Sequence, residues 1–145
     1  MTLTPEQQIA ADMRALPEAT RKAVRPQLRA AGAMIVSDAK QRAGWSSRIP
    51  GTIRMTTSFR NEREGVTVVA GNASAPHARP YEDTSGRGKF RHPVFADSRN
   101  KTRRGWRWVT QTSRPFLFPA AQANEAAATA AVRSALDEAA ASIGF

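Results

Sequence analysis

The 145-residue chain lacks cysteine altogether, and it has no long apolar run and few acidic side chains. Without cysteine the chain forms no disulfide, no thiolate zinc site and no cysteine nucleophile, so its stability depends on packing or on neighbouring proteins. No apolar run approaches the roughly 18 to 20 residues that a membrane span needs, and residues 1–16 lack the basic start and apolar stretch of a signal peptide. The sequence therefore predicts a soluble protein that is made in the cytoplasm and has no membrane partner.

Patterns that carry catalysis are also missing. His77 and His92 stand in loop-like sequence without a carboxylate at ligand spacing, which predicts no metal site. Glu82 and Asp83 are adjacent and would point to opposite faces of a strand, so they do not form a paired-carboxylate or two-metal site. No glycine-rich phosphate loop, nucleophile elbow or metalloprotease helix is present. We expect no catalytic residue, no cofactor and no enzymatic activity.

Positive charge is what the chain has in excess. It carries 22 Lys and Arg against 12 Asp and Glu, a formal net charge of +10. Nearly all of this excess lies in residues 44–118, whereas residues 119–145 are net negative. Residues 84–114 contain a single acidic residue, Asp97, and these basic ones: Arg87, Lys89, Arg91, Arg99, Lys101, Arg103, Arg104, Arg107 and Arg114. This segment is expected to meet an acidic partner, either nucleic acid or protein, and Coulomb attraction does not choose between them.

Helical patterns occupy the N-terminal third. Residues 1–16 form a predicted N-terminal helical segment, because Thr4-Pro5 is typical of a helix start. A longer helix is predicted from Pro17 to Gly44, with a kink or break just before Pro26. Its apolar face recurs at three- or four-residue spacing and consists of Val24, Leu28, Ala31, Ile35 and Ala39, followed by Arg42.

The rest of the chain mixes strand, loop and helix signals. Residues 52–71 alternate in polarity around a polar turn and predict a β-hairpin, and Trp106–Thr110 predicts one more short strand. Residues 72–105, dense in Gly, Pro, Ser and charge, predict a long surface loop. Alanine-rich residues 119–143 predict the last helix, with the stripe Val132, Leu136, Ala139 and Ile143. The fold class is thus a single α+β domain over residues 1–145, in which N-terminal helices and a C-terminal helix pack on a small antiparallel sheet with a long basic loop.

Three motifs resemble a known protein family. The first is a helix end that leads into the hairpin, Asp38-Ala39-Lys40-Gln41-Arg42-Ala43-Gly44. The second is Ala75-Pro76-His77-Ala78-Arg79-Pro80-Tyr81-Glu82, and the third, at the mouth of the last helix, is Arg114-Pro115-Phe116-Leu117-Phe118-Pro119-Ala120. In this order they resemble the head-to-tail joining, or tail-completion, proteins of long-tailed bacteriophages and related prophages. The family usually continues from its Tyr-Glu segment into a Phe-Gly turn, whereas this chain has Asp83-Thr84-Ser85-Gly86 and a longer basic loop, so the role of that loop does not transfer.

The resemblance implies a structural virion protein at the neck or the head-proximal end of the tail. Such a subunit acts by assembling with copies of itself in a ring and with head connector and tail-tube proteins, without catalytic residues. The structural motif residues that it marks are Tyr81, Glu82, Arg114, Pro115, Phe116, Leu117 and Pro119. The residues expected to face a partner, or packaged DNA, are Arg87, Lys89, Arg91, Arg99, Lys101, Arg103, Arg104 and Arg107.

Two segments allow more than one interpretation. Phe116 and Phe118 are expected to share one face of a proline-restricted turn and to enter the core, with Leu117 on the other face. Trp106-Arg107-Trp108 fits a half-buried strand whose indoles point inward, but arginines beside aromatics also suit nucleic acid, where they neutralise phosphates and stack on bases. The leading hypothesis is the neck subunit. The alternative is a sequence-independent DNA-binding protein that uses the basic loop with Trp106 and Trp108, and a ring around a DNA channel would reconcile the two.

Overall fold

A computed structural model of the chain describes residues 18–59, 65–95 and 106–142. It contains three helices, α1 (Glu18–Arg42), α2 (Ala78–Glu82) and α3 (Leu117–Ser142), and four strands, β1 (Arg54–Ser58), β2 (Gly65–Val69), β3 (Lys89–Phe95) and β4 (Trp106–Thr112). The predicted α+β class is therefore confirmed. The predicted N-terminal helical segment, residues 1–16, lies outside the described residues. None of the described helices is both long enough and apolar enough to cross a membrane.

Helix α1 ends close to where the sequence predicts, two residues before Gly44. Asp38 accepts a hydrogen bond from Nε of Arg42 at 2.9 Å in its last turn, where cationic side chains favour the helix dipole. Of the kink or break predicted just before Pro26, the break is wrong, because α1 is described as one uninterrupted helix. Pro26 lies on the exposed side, so the carbonyl that it leaves unpaired one turn earlier has access to water.

Helices α1 and α3 pack along most of their lengths in antiparallel directions. Val24 is fully buried and shares a small core with Ala135, while at the other end the side-chain amide of Asn124 donates to Asp38 at 2.9 Å. The stripe predicted for the last helix is confirmed at its three described positions. Val132, Leu136 and Ala139 are buried or half-buried, and Ile143 lies outside the described residues.

A second, larger core joins the end of α1 to the β1–β2 hairpin and to the start of α3. Its buried members are Ala39, Ala43, Ile49, Ile53, Ala75, Ala78, Phe116 and Ala120. Thr52 closes the open end of the hairpin, because its buried hydroxyl donates to the Ile49 carbonyl at 2.8 Å and accepts the Gly71 N–H at 2.9 Å. The predicted hairpin is confirmed, with Arg54 opposite Val69 and Ser58 opposite Gly65.

The predicted single sheet and the predicted loop both need correction. Strand β4 pairs with β3 and not with the β1–β2 hairpin, so the described strands form two separate two-stranded antiparallel sheets. The segment expected to be loop from residue 72 to 105 contains α2 and β3, and residues 96–105 lie outside the described residues. Turn-forming residues dominate its composition, but Lys89–Phe95 has a period-two pattern of its own that this composition obscures.

Candidate assembly surface

The second and third sequence motifs meet at one carboxylate. Glu82, the last residue of α2, accepts hydrogen bonds from the backbone N–H groups of Phe116, Leu117 and Phe118 at 3.0, 2.9 and 2.6 Å. These N–H groups begin α3 and have no partner within the helix. A negative charge at this position also interacts favourably with the positive end of the helix dipole. The next residue, Pro119, has no N–H to satisfy. Glu82 is therefore the N-terminal cap of α3, supplied from 34 or more positions away in the sequence.

Tyr81 connects this junction to the rest of the molecule. Its carbonyl accepts the N–H of Arg114 at 3.0 Å, and its ring lies 4.5 Å from that of Trp45 and 5.0 Å from that of Phe90, centroid to centroid. The side-chain amide of Gln111 donates to the Tyr81 hydroxyl. The tyrosine therefore links the segment after α1 to both strands of the β3–β4 hairpin.

The expectation for the two phenylalanines is half wrong. Phe116 is fully buried in the main core, but Phe118 is 64% exposed, and Leu117 is partly buried against the core. The physical reason is that α3 already begins at Leu117, two residues before the predicted start at Pro119. Positions i and i+2 share a face in an extended segment but not in a helix, where they are about 200° apart.

A turn that the sequence reasoning missed sets the start of the β3–β4 hairpin. Asp83 has a left-handed backbone with φ of 56°, and its carboxylate accepts the N–H groups of Arg87 at 3.0 Å and Gly88 at 2.8 Å. Gly86 and Gly88 also have positive φ, which glycine adopts without steric cost. An aspartate followed by two closely spaced glycines is the signal that could have revealed this turn.

The hairpin has two chemically different faces. In its register Phe90 lies opposite Gln111 and His92 opposite Val109, and residues directly opposite share a face. The inner face, toward α2, carries half-buried side chains: Phe90, His92, Val94, Val109 and Gln111. The outer face consists of six exposed residues: Lys89, Arg91, Pro93, Trp106, Trp108 and Thr110.

The strand predicted at Trp106–Thr110 is confirmed and extends to Thr112, but the predicted orientation of its indoles is wrong. Trp106 is 37% exposed and Trp108 is 55% exposed, both on the outer face. The guanidinium of Arg91 lies 5.8 Å from the Trp108 ring centroid, a cation–π distance. The half-buried positions of β4 are Val109 and Gln111, one residue out of phase with the tryptophans.

The basic residues expected to face a partner are only partly brought together. Lys89 and Arg91 share the outer face. Arg107 pairs with Val94 and therefore lies on the inner face, and Arg87 belongs to the turn before β3. All four are exposed. The remaining residues of this prediction, Arg99, Lys101, Arg103 and Arg104, lie outside the described residues.

An open groove of about 490 Å³ separates α2 from the inner edge of the hairpin. It is lined by Pro76, His77, Pro80, Tyr81, Phe90, Arg91, His92 and Gln111. His77 and His92 contact aromatic rings here, with centroids 6.1 Å from Tyr81 and 5.9 Å from Phe90. Across the three described segments, no group of three His, Asp or Glu side chains is placed to hold a metal ion.

Comparison with family models, with curated proteins and with solved structures found no match to this chain.

Proposed function

We propose that this protein is a structural subunit of the neck of a long-tailed bacteriophage, where it joins the head connector to the tail. The observation that carries the proposal is the bonding of Glu82 to the start of α3. The Tyr-Glu motif and the Arg-Pro-Phe-Leu motif are distant in sequence, yet they form one structural unit. Motifs that pack together in this way are more consistent with a shared fold than with a chance likeness of short segments.

The exposed chemistry also supports a role in assembly. The outer face of the β3–β4 hairpin combines two exposed tryptophans with two cationic side chains, Lys89 and Arg91. Tryptophan and arginine are enriched at the energetic centres of protein interfaces. A subunit that docks between connector and tail-tube proteins, and against copies of itself, needs such a surface.

Deletion of the gene from the phage or prophage that carries it tests the proposal. The expected result in electron micrographs is separate, DNA-filled heads and free tails, with joined particles restored by the wild-type gene supplied in trans. The protein should also be present in purified virions by mass spectrometry. Normal joining without the gene, together with absence of the protein from particles, would refute the proposal.

Exposure of Trp106 and Trp108 favours a second candidate function, sequence-independent DNA binding. Exposed indoles beside Arg91 suit stacking on bases, and cations of this segment suit phosphate contacts. Binding of this kind weakens steeply with salt, so a plot of log affinity against log salt should have a slope of about −0.9 for each phosphate neutralised. Absence of duplex binding in a gel-shift assay at low salt would eliminate this candidate.

A further inference from the structure

The outer face of the β3–β4 hairpin is exposed. An isolated two-stranded hairpin is marginally stable at best in water, and in the described part of the chain no third strand extends this one. Its inner face rests on α2, but the outer face leaves Trp108 55% exposed beneath the Arg91 guanidinium. A large aromatic side chain in this position is more favourable when a partner covers it.

A second exposed surface lies on helix α3 and has a different character. Helix α3 has 26 residues and only four charged side chains. Alanines occur on its exposed side as well as on the side that packs against α1. That exposed side bears a shallow depression of about 440 Å³, lined by Gln122, Glu125, Ala126, Thr129, Ala130 and Arg133, and these residues are called the outer stripe of α3. One turn earlier Phe118 is 64% exposed. Exposed alanines and an exposed phenylalanine on this side leave apolar surface that a neighbouring protein could cover.

The two elements that carry these surfaces have net charges of opposite sign. The described residues 84–95 and 106–116 carry Arg and Lys but no Asp or Glu. In contrast, α3 carries Glu125, Asp137 and Glu138 against Arg133 alone. Opposite charges at the rim of an apolar contact steer association and set its orientation.

We infer that the outer face of the hairpin in one copy packs on the outer stripe of α3 in a second copy. The bulky indole of Trp108 occupies the depression that the small side chains Ala126 and Ala130 leave open. The two surfaces differ, so the contact is heterologous, and each copy has one free surface of each kind for the next neighbour. This inference rests on the proposed function, since it supplies the subunit contact that a ring in the neck requires.

Cysteine cross-linking tests the contact directly, because the natural chain has no cysteine. The variant carries Thr110→Cys on the outer face and Ala130→Cys on the outer stripe, both at exposed positions. Treated with a short bismaleimide, the full chain should give trimers and larger products on a denaturing gel. An equimolar mixture of the two single-cysteine variants should give a heterodimer and nothing larger, because only one contact per pair can be cross-linked.

Two controls make the result decisive. Thr67→Cys with Ala130→Cys moves one thiol to an exposed position on β2, away from the proposed contact, and should give only the monomer band on the denaturing gel. Trp108→Ala in the original double-cysteine variant should weaken self-association about 30-fold, as expected for loss of a central interface residue. A ladder no stronger than that of the Thr67 control, or one that Trp108→Ala leaves unchanged, overturns the inference. If Trp108→Ala leaves the ladder unchanged but abolishes binding to duplex DNA, the outer face is assigned to nucleic acid instead.

This experiment separates the contact from the proposed function. If the purified chain gives a cross-linked ladder but heads and tails join normally in the gene deletion, the contact is retained and the function is refuted. Loss of joining on deletion, with no ladder, would retain the function and refute this contact.

Discussion

At the scale of single residues, Glu82 serves three backbone N–H groups at once, at 3.0, 2.9 and 2.6 Å. An ordinary N-cap residue lies next to its helix in sequence and accepts from one such group. Glu82 instead comes from α2, so the hydrogen bonds that start α3 also hold α2 against it. Loss of the carboxylate therefore affects both the helix start and the tertiary contact.

Replacement of Glu82 by alanine is expected to lower the free energy of unfolding by about 2–3 kcal/mol, because part-buried N–H groups lose a charged acceptor. Glu82→Gln should lose about half as much, since one oxygen is kept and the charge is removed. Urea denaturation followed by circular dichroism measures both. Glu138→Ala is the matched control, because Glu138 is exposed on α3 and should change stability by under about 0.5 kcal/mol.

The start of α3 allows a paired test of the two phenylalanines. Phe116→Ala should destabilise the protein by about 3–5 kcal/mol, because it empties part of the main core. Phe118→Ala should change stability by under about 0.5 kcal/mol in dilute solution, because the ring is exposed. Thermal and urea unfolding check this contrast. Similar losses for the two variants would mean that the residues share a face after all.

At the scale of secondary-structure elements, α1 packs tightly against the β1–β2 hairpin at Gly32. A Cβ atom built on this glycine would lie 2.5 Å from Sδ of Met55 and 2.5 Å from Cγ1 of Val66. The methionine side chain is flexible, but the β-branched valine is stiff. Glycine inside this helix thus serves packing rather than backbone freedom.

Gly32→Ala is expected to lower the free energy of unfolding by about 1–3 kcal/mol, because overpacking outweighs the helix propensity that alanine adds. The loss should shrink in a Val66→Ala background, and a double-mutant cycle measures this coupling. Gly51→Ala is the control, since a Cβ there meets nothing within 4 Å. Equal losses in the two backgrounds would show that Val66 is not the obstacle.

At the scale of the whole molecule, charge and exposed apolar surface differ between two elements. The β3–β4 hairpin and its flanks are cationic and aromatic, whereas α3 is alanine-rich with three carboxylates and one arginine. A subunit that contacts its neighbours through both elements is expected to show such a division.

Trp108→Ala separates assembly from folding at this scale. The variant should change the free energy of unfolding by under about 1 kcal/mol, because the indole is largely exposed and its contact with Arg91 lies at the surface. If the proposed neck function holds, the variant should restore joined particles in a complementation assay of the gene deletion at least about tenfold less well than wild type. Thr67→Ala, at an exposed position on the other sheet, should complement fully.

Much of the fold follows from local periodicity. The apolar stripe of α1, the β1–β2 hairpin and the C-terminal helix were all predictable, because a repeat of three to four or of two residues determines which face an element buries. The break predicted before Pro26 was wrong because the effect of a proline depends on whether the carbonyl that it leaves unpaired one turn earlier can reach water. That depends on which side of α1 faces the core. Strand β3 was missed because glycines, prolines and arginines around it obscured its alternation.

The candidate surface was predictable in composition but not in orientation. The excess of basic residues and the tryptophans of residues 106–108 mark this segment in the sequence. Alternation along β4 shows that one face differs from the other, yet it does not say which face is covered. The inner face is set by contacts with Tyr81 on α2, a residue distant in sequence.

By itself, the sequence of this protein determined the approximate positions of α1, the β1–β2 hairpin, β4 and α3, its charge distribution and the absence of thiol chemistry, because these depend on residue type and short-range spacing. Only the tertiary structure decided that Glu82 caps α3, that β3 and β4 form a sheet of their own and that Trp108 points outward. Each of these depends on which distant segments come together. Many contacts between such segments contribute to the free energy that stabilises the arrangement, and a local sequence pattern does not reveal them.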